Sequence, residues 1–457
     1  MSEHFPPSSY ETNLFIDDKF VAGNGGKTFT IYNPATEERI CEVAEATSED
    51  VDLPVDAAAR TFPEWSNMNA SQRAVPMQKL VQLIQENADE LARLDSLCMG
   101  KPVELLKKMD VPACAGVFSY FAGSALHILG ESSLSSSNFL NVTLRQPYGA
   151  VGLIIPWNVP MIMFAFKVAP ALICGNTVVL KSAERAPLSS LKLAALIKEA
   201  GFPPGVVNVL SGFGDPTGSA LALHMKVRKI SFTGSVGVER IFELGGKGAA
   251  IIFQDADIAA AARYTHYSIN HNSGQHCQAN SRALVHKDIL DEYLRELARL
   301  MDQVTVGDPS DPKTFQGPQV DKKALDRILS LVIEGAKDGK LVRGGRRHGD
   351  KEEIFGPVII VNTFEDEAGA LAEANSSVYT KDFERAIRVA KALQAGDVGV
   401  NCSVPLRALD MPIGGWKQSG IGSELSLHGL SMYTELKTVF LKYGTDPTTM
   451  SSKWHCS

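Results

Sequence analysis

Paired cysteines are missing from this chain. Its seven cysteines, at positions 41, 98, 114, 174, 277, 402 and 456, are scattered, odd in number and never spaced as CxxC. That excludes a disulfide scaffold and a dithiol redox pair, and it points to a reducing compartment, the cytoplasm. A basic footprint is missing too. With 45 Lys and Arg against 52 Asp and Glu, the net charge is -7. The Arg-rich run Arg343-Gly344-Gly345-Arg346-Arg347 is short and broken by glycine, so no nucleic-acid partner is expected. Nor is there a long hydrophobic run. The most apolar region, 151–180, is interrupted by Pro156, Pro160, Lys167, Pro170 and Gly175. It never reaches the roughly 20 apolar residues of a membrane span, so no membrane partner is expected. Residues 1–13 are polar with Pro and Ser, unlike a secretory signal.

What is present is ordinary globular usage, 44% hydrophobic and 21% charged, over 457 residues, a length for two or three domains. The first 48 residues read as a tail and short strands around 13–16, 19–21 and 28–32. A helix starts near Ser48 and ends near Pro63. Leu80, Leu83, Ile84, Leu91 and Leu94 recur at helical spacing, predicting one helix over 71–97 before Gly100. Another helix is expected over 112–129. Residues 139–148 alternate like an exposed strand, either a hairpin arm or a subunit-contact edge.

The clearest organisation follows. Apolar strands at 151–155, 177–180, 206–210 and 227–232 alternate with helices at 160–172, 187–200 and 216–223. Buried strands alternating with helices predict a parallel, doubly wound α/β sheet. Such sheets bind ligands at the carboxyl ends of their strands. That singles out Pro156-Trp157-Asn158, Lys181-Ser182-Ala183-Glu184 and Gly234-Ser235.

The stretch Asn272-Ser273-Gly274-Gln275-His276-Cys277-Gln278 sets one cysteine among small and polar residues. A lone Cys in such a loop is either a candidate nucleophile or a packed, inert thiol.

Seven motifs then fall in one order. They are Pro156-Trp157-Asn158-Val159-Pro160, Lys181 with Glu184, Phe232-Thr233-Gly234-Ser235, Glu243-Leu244-Gly245-Gly246-Lys247, Gly274-Gln275-His276-Cys277, Glu353-Ile354-Phe355-Gly356-Pro357 and Gly414-Gly415-Trp416-Lys417. This order resembles the aldehyde dehydrogenase family, from about Phe15 to Tyr443. The resemblance implies an NAD-binding domain of the Rossmann type (1–126 and 148–243), an α/β catalytic domain (244–430) and a small β oligomerisation arm (127–147 and 431–445). It implies NAD-dependent oxidation of an aldehyde to the acid, and a homodimer or homotetramer.

The resemblance also implies roles. Cys277 attacks the aldehyde, passing through a thiohemiacetal and a thioester. Asn158 donates to the oxyanion. Glu243 is the general base for deacylation, and its presence argues against a coenzyme-A-acylating relative. Glu424 resembles a family residue proposed to relay protons. Ile155, Trp157, Lys181, Glu184, Gly234, Ser235, Glu353 and Phe355 hold the cofactor, without a GxGxxG motif. Glu184 would accept from ribose hydroxyls and repel a 2′-phosphate, favouring NAD over NADP. Val159, Met163, Phe166, His276, Gln278 and Arg407 line the substrate pocket; Arg407 either steers an anionic substrate or is a solvated rim residue. No metal is implied.

Three segments are shorter than the family pattern: residues 236–242, 349–352 and 376–379. Either the losses are tolerated or the chain reflects a gene model lacking real residues, and the second is favoured. The shortening also raises a non-catalytic relative as an alternative function.

Overall fold

A computed structural model describes residues 10–234, 243–244, 246, 248–345, 357–374, 376–403 and 408–443. Of Glu243 and Leu244 only the backbone is described.

The strands read from apolar runs form the centre of a seven-stranded sheet. Its order is Glu243–Leu244, Lys229–Gly234, Ala150–Ile154, Thr177–Lys181, Val207–Leu210, Leu14–Ile16 and Lys19–Val21. The first five run parallel; the last two turn back antiparallel at the edge. Ala150–Ile154 and Thr177–Lys181 are buried at every position. A parallel strand covered by helices on both faces has no polar side, so it reads as a continuous apolar run. The helix Pro160–Ile173 is likewise buried almost all round. This accounts for the apolar stretch without any membrane, and among the described residues no helix is long and apolar enough to cross one.

A second sheet is wholly parallel, in the order Ile360–Phe364, Asn280–His286, Gly248–Ile252, Ser377–Tyr379 and Gly399–Val400. The exposed strand of the sequence analysis, Phe139–Pro147, finds its partner within the chain. It pairs antiparallel with Thr434–Lys442, from Phe139 opposite Lys442 to Pro147 opposite Thr434.

Two helix boundaries differ from the expectation. The first helix does not end at Pro63 but runs over Asp52–Asn67. Pro63 lies on its exposed side, where water can satisfy the carbonyl that proline leaves unbonded. Trp65, two residues further, is fully buried and anchors the last turn by donating Nε1–H to the Leu172 carbonyl at 3.3 Å. The expected single helix over 71–97 is two, Ala70–Glu86 and Ala88–Met99. They divide at Asn87, whose side chain donates to the Leu83 carbonyl at 2.8 Å. The apolar spacing continues across the break, so periodicity alone could not reveal it.

Candidate active site

Gly234, Ile155 and Lys181 end, or directly follow, three adjacent parallel strands. The Ile155 N–H donates to the Lys181 carbonyl at 3.3 Å, which fixes the two strand ends against each other. Lys181 is buried and its Nζ reaches Glu184 Oε2 at 3.4 Å. Burial lowers the Lys181 pKa, and the Glu184 carboxylate opposes that shift. Beside this pair runs the backbone of Gly218, where a Cβ would come no nearer than 3.8 Å to Ile154 and 4.0 Å to Lys181. Trp157 is half-buried, with the Arg185 guanidinium 5.7 Å from its ring centre. Gly234 has no room for a side chain, since a Cβ would lie 2.4 Å from the Phe232 ring. Ser235, Glu353 and Phe355 lie outside the described residues, as does Arg407.

Cys277 sits in the connection between the turn His271–Gly274 and the strand Asn280–His286. The turn is strained. Asn272, Ser273 and Gly274 take φ of 53°, 55° and 76° in succession. For a non-glycine residue the left-handed region costs about 1 kcal/mol or more, and it persists only where neighbours over-determine it. They do so here from two sides. From one, Ser273 Oγ–H donates to the Gly317 carbonyl at 2.8 Å, Gln319 Nε2–H to the Ser273 carbonyl at 3.0 Å, and the Val320 N–H to Gln275 Oε1 at 2.9 Å. From the other, Asn158 Nδ2–H donates to the Gln275 carbonyl at 3.0 Å, while Asn272 Nδ2–H donates to the Asn158 carbonyl at 2.9 Å. Asn158 Oδ1 is buried without a hydrogen-bond partner among the described residues.

Among the described cysteines Cys277 is the exposed one. Burial pushes the Cys41 thiol up to about 11 and Cys174 up to about 12, and raises Cys98 and Cys114 as well. Those four are inert packing groups. Cys277 instead lines a cavity of about 700 Å³ together with Gln278, Arg282, Asp397 and Trp416. Gln278 Nε2–H donates to Asp397 Oδ2 at 3.3 Å. Burial raises the Asp397 carboxyl, and Gln278 opposes this.

Other residues expected in the pocket do not border this cavity. Val159 and Met163 are buried in the main core and Phe166 packs against it; none borders this cavity. His276 does not border it either. Glu243 is represented by its backbone, paired with Thr233; its side chain lies outside the described residues.

The sequence reading missed two lysines. Lys167 is fully buried, donating to Ser231 Oγ at 3.0 Å and paired with Glu424. A single lysine in an otherwise apolar helix was the available signal, because burying a charge requires a partner. Lys101 is also buried, 2.6 Å from Asp110 Oδ1 and 3.4 Å from His271 Nε2. It underlies the Cys277 loop, and nothing local in the sequence gives that away.

Comparison with known proteins bears on the whole chain. The profile of the "Aldehyde dehydrogenase family" matches residues 20–439. Aldehyde dehydrogenase 1A1 of Gallus gallus is 41% identical, with 94% of this chain and 93% of that protein covered. Retinal dehydrogenase 2 of Homo sapiens is 40% identical, over 94% and 92% of the two chains. The solved NAD+ complex of an aldehyde dehydrogenase from Bacillus cereus superposes with a TM-score of 0.91 at 37% identity, covering 94% of this chain and 96% of that one. The first of these alignments spans 476 positions but only 94% of the 457 residues, so several tens of positions in the relative face gaps here. That agrees with the shortened segments. The expectation of a non-catalytic relative finds no support, since the matched relatives are named as dehydrogenases.

Proposed function

We propose that this chain, which belongs to the aldehyde dehydrogenase family, oxidises an aldehyde to the carboxylic acid with NAD. The observation that carries the mechanism is the exposed thiol of Cys277 on a strained loop that Asn158 braces. In this reading Cys277 Sγ attacks the carbonyl carbon and forms a thiohemiacetal. Oxidation of that carbon gives a thioester, which water cleaves to the acid and the free thiol. The amide of Asn158 has a second N–H, which we assign to the oxyanion that develops during attack. We assign the activation of the deacylating water to Glu243, and that step makes the enzyme hydrolytic rather than acyl-transferring.

The residues at the strand ends fit the adenosine half of NAD. A half-exposed carboxylate, a buried ammonium and an open glycine backbone stand side by side there, as a ribose needs. Lys181 and Glu184 would hold it, beside Ile155, Trp157 and Gly234; Ser235, Glu353 and Phe355 complete the set by resemblance. NAD, when bound, supplies the hydride acceptor. The cofactor domain is then 1–126 with 148–243, the catalytic domain 244–430, and the arm 127–147 with 431–445. The free cysteines support a cytoplasmic setting.

The test is calorimetric titration of the intact chain with NAD and NADP, followed by an aldehyde panel read as NADH formation. NAD is expected to bind in roughly the micromolar range and NADP at least about tenfold more weakly, a gap of about 1.4 kcal/mol. Glu184→Gln removes the charge that repels a 2′-phosphate and should close most of that gap. Equal affinity for both cofactors in the unsubstituted chain would rule out this role for Glu184.

The arm bears on assembly. Thr434–Lys442 is an edge strand and exposes Leu436, Phe440 and Leu441. An unpaired apolar edge is normally covered, and a second copy covers it symmetrically. Light scattering coupled to size exclusion is expected to give the mass of a dimer or tetramer. A concentration-independent monomer would count against this.

A further inference from the structure

His276, the neighbour of Cys277, does not border the cavity that Cys277 lines. It closes the turn around the nucleophile at two points. Its carbonyl accepts the Ala279 N–H at 3.1 Å, and its Nδ1 accepts the Gln278 N–H at 3.3 Å. Both ties straddle Cys277. A ring nitrogen that accepts carries no proton, so the turn requires neutral imidazole with its proton on Nε2.

The same side-chain-to-backbone turn occurs twice more among the described residues. His224 Nδ1 accepts the Lys226 N–H at 3.1 Å, and His286 Nδ1 the Asp288 N–H at 3.4 Å. Each of those rings stands near a carboxylate, Asp52 at 3.1 Å and Asp288 at 3.6 Å. The surroundings of His276 are different. Its ring meets that of His271 edge-on at 5.8 Å. Behind His271 lies the Lys101 ammonium, itself bonded to Asp110. The Tyr267 ring also lies against that of His271, tilted, with ring centres 5.6 Å apart. Asp397 is engaged by the Gln278 side chain. The residue as a whole is half-buried, and its ring meets that of His271. Burial there, helped by the Lys101 charge, lowers its pKa to about 4.

We propose that His276 is a positioning residue for the nucleophile: its Nδ1 and carbonyl accept the two N–H groups that close the turn presenting Cys277. This rests on the reading of Cys277 as nucleophile. The ring touches neither substrate nor cofactor in this account; it acts through the backbone of residues 277–279.

The test separates an acceptor from mere filling. His276→Ala removes both ring and acceptor. His276→Asn keeps an acceptor, since an Asn oxygen readily takes the N–H two residues on. Alkylation of Cys277 by iodoacetamide, located by peptide mass spectrometry and followed against pH, is measured beside steady-state turnover. His276→Ala is expected to slow both by about tenfold or more, the scale of a slightly misplaced reactive group. His276→Asn should recover to within about threefold of the unsubstituted chain. Two results would each overturn the proposal: His276→Ala as reactive as the unsubstituted chain, or His276→Asn no better than His276→Ala. If the unsubstituted chain neither oxidises aldehydes nor shows a reactive Cys277, the nucleophile reading fails and this inference falls with it.

Discussion

Replacing Cys277 with serine is expected to lower aldehyde oxidation by roughly 10⁴-fold or more. Serine keeps the shape but not the chemistry. A thiol is a few per cent thiolate at neutral pH, whereas a hydroxyl needs an adjacent base to become nucleophilic. Removing the nucleophile of a covalent mechanism costs far more than removing a residue that assists it. The loss should be one of chemistry and not of folding. Cys277 is exposed, and its substitution is expected to move stability by no more than about 0.5 kcal/mol. The measurement is NADH formation under saturating aldehyde, paired with intact-protein mass spectrometry. An acyl adduct on the unsubstituted enzyme should be absent from the serine variant. A variant that kept a tenth of the rate would remove Cys277 from the mechanism.

The second large effect is expected at Asn158. Asn158→Ala should lower kcat by roughly 10²–10³, the usual cost of losing one oxyanion donor. Because such a donor matters most as charge develops, KM should change little. A structural objection is available, since the same amide also ties the loop through the Gln275 carbonyl. That carbonyl keeps a second donor, Asn272 Nδ2 at 3.2 Å, so the loop is not cut loose. The truncation also removes the buried Oδ1, which has no partner among the described residues, and this limits any loss of stability. A raised KM with kcat preserved, or a fall in the melting temperature with no change in rate, would favour bracing alone.

The frame was legible because its signals are local. A strand buried on both faces must be apolar throughout, and the five residues from Ala150 to Ile154 are. The order of short motifs did the rest, bringing Asn158 and Cys277 into one reading before their loops met in space. Illegible features were those that depend on distant partners. The bond from Lys101 to His271 spans 170 residues, and no pattern near either one encodes it. Asn272 and Ser273 adopt left-handed backbone although neither is glycine; the constraint comes from residues 317–320 and from Asn158. Val159 and Met163 sit in the main core and do not border the Cys277 cavity. An apolar side chain suits a core and a tunnel wall equally, and composition cannot tell them apart. His276 is the reverse case. Its position beside the nucleophile suggested contact with substrate, while its ring bonds the backbone beside it.

The strand Phe139–Pro147 carries one more consequence, for the order of events at the ribosome. Arg145 finds Thr434 only 289 residues further along the chain. At ordinary elongation rates that interval is roughly 15–60 seconds. Throughout it, the edge that Thr434–Lys442 will occupy has no partner of its own. Neighbouring nascent chains on one message offer the same edge at the same moment. The arm is therefore among the last parts of the fold that synthesis can close, and the part most open to pairing with the wrong copy until it does.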